Sequence, residues 1–195
     1  RTMDEIGDGG WQEGMGYLSY TLSTGAEFAD VLKRMTGGKL DLFLHPRFAD
    51  GIKTIVHCQI PPGRTVHFGD SGGGVVGDYY VYNILALETG NRQAIWLRDI
   101  FGFGNPADIK DMFMPKSALE AAVPERASIH FPAVDWVVMR SDFTDQGKVV
   151  VAAKSSLHND PHHGHLDAGH ISLYWRGLEF LCDHGSAGYD RKYFD

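Results

Sequence analysis

The chain has 195 residues, 43% hydrophobic and 12% aromatic, and carries a formal charge of −7. That length suits one domain or two small ones with enough apolar residues for a core, and the negative balance excludes the basic footprint of a general nucleic-acid binder. No run of about 18 apolar residues occurs, so no membrane span is expected.

The chain opens on Arg1 and stops at Asp195, just past a strand-like stretch. Both ends therefore read as cut from a longer polypeptide, whose remainder is an expected partner. Cys58 and Cys182 have no CxxC spacing, which leaves a disulfide or two buried thiols open.

Residues 1–10 are polar and glycine-rich. A helix is predicted from Trp11, with Trp11, Met15, Leu18 and Leu22 on one face and Glu13, Tyr17 and Tyr20 on the other. The first face belongs in a core. The second either edges an ordinary amphipathic helix or lines a cavity with a carboxylate and two phenols. Thr24-Gly25-Ala26-Glu27 has the form of a capping box, so a second helix is predicted from Gly25 to Met35, stopped by Gly37-Gly38. A helix near 48–57 is broken by Pro61-Pro62-Gly63.

Residues 64–78 read as a loop. Its Gly72-Gly73-Gly74 run lacks the Gly-Lys-Ser/Thr of a phosphate loop, and Asp70 and Ser71 read as turn-formers. Helices are predicted at 78–88 and 91–99, with Leu85, Ile95 and Trp96 as core candidates. Strands follow at 127–140 and 148–154, then a hairpin Ile171–Trp175 and Leu178–Asp183 around Arg176-Gly177. Helices first and strands second define an α+β chain: a helical part over 1–115, a linker over 116–126 and a β part over 127–195.

Half of the ten histidines crowd into Leu157-His-Asn-Asp-Pro-His-His-Gly-His-Leu-Asp-Ala-Gly-His170. Imidazoles are ligands, proton carriers and hydrogen-bonding groups near neutral pH. In an extended segment His163, His165 and Asp167 share one face, a partial set for zinc. The hairpin count sets Asp183 opposite His170, and a straight strand leaves His165 roughly 16 Å further along. Either residues 167–169 curl back, or the set is His170, Asp183 and His184.

Two motifs coincide: Trp11-Gln12-Glu13-Gly14-Met15-Gly16-Tyr17, and His163-Gly164-His165-Leu166-Asp167 ahead of a hairpin ending at Asp183. With the Gly69-Asp70-Ser71 loop and the Met139-Arg140-Ser141 strand, they resemble the heparinase II/III-like polysaccharide lyases and the related dermatan sulfate epimerases. The resemblance implies the C-terminal part of an (α/α) toroid followed by the start of an antiparallel β-sandwich domain. It implies Tyr17 and His163 as catalytic groups, and His165 and Asp183 as ligands of a structural Zn2+ whose third protein ligand lies outside this chain. Trp11, Glu13 and Arg140 are the expected substrate-binding residues.

The substrate implied is an acidic, uronic-acid-containing polysaccharide cleaved by β-elimination, and the implied location is periplasmic or secreted. A C5-epimerase of the same family, a metal-dependent hydrolase and a non-catalytic sugar-binding module are the competing readings. The family's earlier histidine has no counterpart here, and Thr21 and Leu22 stand where family members place an arginine. Tyr20, Tyr189 and Tyr193 are reserve phenols.

Overall fold

The computed structural model of the protein describes residues 8–143, 149–155, 163, 165 and 167–185. Helix α1 spans Met15–Met35 and buries Met15, Leu18, Leu22, Ala26 and Ala29, a stripe at three- and four-residue spacing. It starts later than the sequence pattern predicts. Gly14 stands at φ 95, a left-handed conformation that glycine adopts without steric cost, and its N–H donates to the Trp11 carbonyl at 3.1 Å. Trp11 and Glu13 therefore lie on a turn ahead of the helix. The predicted break at Thr24 is absent too. The Thr24 hydroxyl donates to the Tyr20 carbonyl within the helix rather than capping a new one, and burial of Ala26 and Ala29 continues the stripe. The helix stops where expected, at Gly37 (φ 59) and Gly38 (φ 81).

A 3-10 turn at Leu42–Leu44 leads into α2, Arg47–Cys58, which buries Phe48, Ile52, Ile55 and Val56. The short antiparallel pair β1 (Gln59–Ile60) and β2 (Arg64–Thr65) follows. Helix α3, Tyr79–Thr89, is capped by Asp78 and ends at Gly90 in the left-handed region. Its residues from Tyr79 to Ala86 are all buried, so it is the centre of the helical part. Helix α4, Arg92–Ile100, is capped by Asn91, and α5, Ile109–Met112, by an Asp108/Asp111 capping box. Leu85 and Ile95 are buried, and Trp96 packs against the core half-buried.

Five strands then form one antiparallel sheet in chain order: β3 (Ile129–Phe131), β4 (Trp136–Arg140), β5 (Val149–Lys154), β6 (His170–Trp175) and β7 (Leu178–Leu181). The single strand predicted over 127–140 is two, because residues 132–135 turn the chain, with Asp135 at φ 53. The inner face alternates along each strand: Trp136, Val138 and Arg140, then Val150, Ala152 and Lys154, then Ser172 and Tyr174 are all buried. The chain is thus α+β, helices first and an antiparallel sheet after them.

Several contacts join the two parts. Phe68 meets Trp136 edge-on at 4.8 Å. Arg64 donates to Glu179 at 3.0 Å and to the Gly177 carbonyl at 2.7 Å. Arg140 reaches the carbonyls at the end of α2, including that of His57 at 2.6 Å.

His57 is buried between the edges of Phe131 and Phe143. Burial, and then the Arg140 guanidinium, push its pKa down from 6.5 to about 4. The folded state therefore holds the ring neutral where the unfolded chain takes up a proton. Its share of stability is whole above pH 6.5 and is lost as pH falls towards 4. Denaturant titrations from pH 7 to 4 are expected to show a loss of about 2–3 kcal/mol from this ring. His57→Gln is expected to remove that component of the pH dependence, and an unchanged pH slope in the variant would refute the assignment.

Candidate functional site

The site begins with two close backbone approaches. A Cβ at Gly14 would sit 2.0 Å from the Phe68 carbonyl oxygen, and one at Gly69 would sit 2.8 Å from the Glu13 carbonyl oxygen. Both glycines have positive φ. The turn 11–14 and the loop 68–71 can lie on one another only because neither residue has a side chain. Glu13 and Asp70 are thereby brought together on the helical part, beside the first turn of α1, which carries Tyr17.

The histidine stretch meets this floor. His163 Nδ1 lies 2.8 Å from Glu13 Oε1, and the other Glu13 oxygen accepts from Trp11 Nε1 at 3.1 Å. The imidazole of His163 stacks on the Tyr17 phenol with ring centroids 4.0 Å apart and planes 21° apart. Two residues on, His165 Nε2 lies 2.8 Å from Asp70 Oδ1. A phenol and an imidazole from opposite ends of the chain share one spot, with a carboxylate behind the imidazole.

A second cluster adjoins the first. Ligand atoms of His165, Asp167 and Asp183 lie within 4.8 Å of one another. Of the two arrangements the sequence left open, the curled-back one therefore gathers donors here. His170 instead lies 2.8 Å from the Ser172 hydroxyl. One imidazole and two carboxylates are a donor set that zinc takes, and the buried Oδ2 of Asp167 has no hydrogen-bond partner among the described residues, which suits a cation ligand. Lys154 ends β5 on the inner face and sets its ammonium 2.7 Å from Asp167 Oδ1 and 5.7 Å above the Phe68 ring.

Of the expected site residues, Tyr17, His163, Glu13 and Trp11 come together, and His165 and Asp183 come together beside them. Arg140 does not join them. Its side chain is buried, hydrogen-bonded to the carbonyls of His57 and Gln59 and stacked 4.4 Å from the Phe143 ring. Desolvation lowers its pKa to about 10. Tyr20 is 70% exposed, and Tyr189 and Tyr193 lie outside the described residues. Two participants escaped the sequence reading. Asp70 read as a turn-former, although the glycine before it marks the close approach. Lys154 read as a strand end, although its parity with Val150 and Ala152 points it inward.

A helical part followed by an antiparallel meander is a fold that solved structures share. The chain is similar to a heparan sulfate lyase HepC mutant from Pedobacter heparinus, with a TM-score of 0.73 at 17% identity over 97% of this chain. It is similar also to a heparinase III with methylated lysines, with a TM-score of 0.66 at 15% identity over 97% of this chain. It spans 28% of the length of each. No curated protein matches the chain. Residues 123–194 match the family described as heparinase II/III-like, C-terminal.

The buried position of Arg140 makes its replacement a test of stability. Arg140→Met leaves two buried carbonyls without their donor, and a loss of about 2–4 kcal/mol in unfolding free energy is expected. Substrate affinity per folded molecule should not move. An unchanged melting temperature with weakened saccharide binding would restore the substrate-binding role.

Proposed function

We propose that the protein is part of a polysaccharide lyase. It would cleave uronic-acid-containing polysaccharide, heparin- or heparan-sulfate-like or another glycosaminoglycan, by β-elimination, with Tyr17 and His163 at the sugar. The observation that carries this reading is the stacked pair itself, a phenol and an imidazole 4.0 Å apart. The family of residues 123–194 and the fold shared with two heparin-type lyases support it.

β-Elimination removes the C5 proton beside the uronate carboxylate while the C4–oxygen bond breaks. One group must take that proton, and another must stabilise or protonate what leaves. Tyr17 and His163 are a proton-carrying pair of this kind, set close enough to address one ring. An epimerase would use the same removal and return the proton from the opposite face.

In this reading the helical part is the end of an (α/α) toroid and the sheet is the start of a β-sandwich, with 116–126 as the linker between them. His165 and Asp183, with Asp167 beside them, would hold a Zn2+ ion. The ion would supply a fixed positive charge that ties the histidine stretch to the sheet. The chain's own contribution there is Asp70, which fixes the ring of His165 from the other side. The proposed location is periplasmic or secreted. Among the described residues no helix is long and apolar enough to cross a membrane.

The test uses the complete polypeptide with heparin and heparan sulfate. Unsaturated product is expected, followed by ultraviolet absorbance, and Tyr17→Phe and His163→Ala should each lower its rate by about 100-fold or more. Saturated ends, or wild-type rates in both variants, would refute the lyase reading. Chelation separates it from a metal-dependent hydrolase. A tie between segments is expected to lower the melting temperature when the metal is stripped, with turnover falling only as the fold loosens. Immediate loss of turnover at full stability would favour the hydrolase.

A further inference from the structure

We infer that Glu13 and Asp70 are positioning residues that fix opposite tautomers on the two histidines they touch, and that Glu13 is not a substrate ligand. The inference deepens the lyase reading in its kinetic part and stands apart from it in its spectroscopic part.

A carboxylate oxygen offers only lone pairs, so the ring nitrogen facing it must carry the proton. Glu13 Oε1 faces Nδ1 of His163 at 2.8 Å. A neutral His163 therefore has its proton on Nδ1 and its lone pair on Nε2. Asp70 Oδ1 faces Nε2 of His165 at 2.8 Å, so a neutral His165 has the reverse arrangement, with the lone pair on Nδ1. The hydrogen bond on one nitrogen decides what the other can do. Two histidines separated by one residue are thus given different work by two carboxylates of the helical part.

Glu13 is well suited to hold rather than to bind. Its second oxygen is already engaged by Trp11 Nε1 at 3.1 Å, which pins the carboxylate in place. Its backbone lies against Gly69, where a Cβ would come within 2.8 Å of it. A negative group of this kind is also a poor partner for an acidic sugar, and the imidazole in front of it covers that charge. The Trp-x-Glu-Gly run then has a physical sense. Gly14 lets the turn close onto the Phe68 carbonyl, the tryptophan clamps the carboxylate, and the carboxylate sets the ring that stacks on Tyr17.

The first measurement is nitrogen-15 NMR of the chain with labelled histidine, the His163 signals assigned by their loss in His163→Gln. His163 is expected in the Nδ1–H form, and Glu13→Ala is expected to abolish that form. Asp70→Ala should leave His163 as it was. An Nε2–H ring in the unmodified chain, or an Nδ1–H ring surviving Glu13→Ala, overturns the inference. The second measurement is kinetic, on the complete polypeptide. Glu13→Gln should lower kcat by about 10- to 100-fold with KM within about threefold, and Glu13→Asp should recover part of the loss. A raised KM at unchanged kcat would make Glu13 a substrate ligand and overturn the inference. A wild-type polypeptide without lyase activity would sink the functional reading alone, because the tautomer experiment decides the role of Glu13 without it.

Discussion

The contact on which the site depends is between two stretches of backbone. The turn ending at Gly14 and the loop containing Gly69 approach so closely that a side chain on either glycine would overlap a carbonyl of the other segment. A methyl group at 2.0 Å from an oxygen cannot be relieved by a rotamer, because both partners are main chain. This approach sets the two carboxylates, Glu13 and Asp70, where His163 and His165 each meet one of them. It also fixes where α1 begins, and hence where Tyr17 stands relative to His163.

The sheet supplies the other half of the constraint. Its meander order brings β5 and β6 side by side, with Lys154 paired to His170 across the ladder. Lys154 holds Asp167 at 2.7 Å, and the Gly169 N–H donates to the Lys154 carbonyl at 2.8 Å. Asp167 is thus met by a buried ammonium of the sheet, and His163 and His165 by carboxylates of the helical part. The pairing of β7 with β6 has a register shift at Leu173/Tyr174.

Much of this was legible in the residues. The change from a period near four to a period of two marked helices giving way to strands, and the helices α2, α3 and α4 fall within a residue or two of their predicted spans. Tyr17 and His163 were legible as a pair only through the resemblance, because nothing in local periodicity says that residues so far apart meet. The errors have local causes. Thr24 can cap a helix or bond back inside one, and the burial of Ala26 and Ala29 decided for the second. Trp11 looked helical on apolar spacing, yet Gly14 is recruited for a left-handed turn. Arg140 was expected to bind substrate, and the structure shows where its side chain goes. Strand parity puts it on the inner face with Trp136 and Val138, where backbone carbonyls of α2 were waiting for a donor.

The charge balance gives the arrangement a final physical sense. Glu13, Asp70, Asp167 and Asp183 would make a hostile floor for a polyanion if they stood bare, and the whole chain adds a net charge of −7. Three of these carboxylates do not stand bare, and the fourth, Asp183, accepts from the Gly185 N–H. Glu13 is covered by His163 and Trp11, Asp70 by His165, and Asp167 by Lys154. The imidazoles of His163 and His165 are partly exposed while the Lys154 ammonium is buried, and the acids are the structure that holds these bases. Glu13, Asp70 and Asp167 each hold a nitrogen base, and the crowding of histidines into one short stretch supplies two of those three bases.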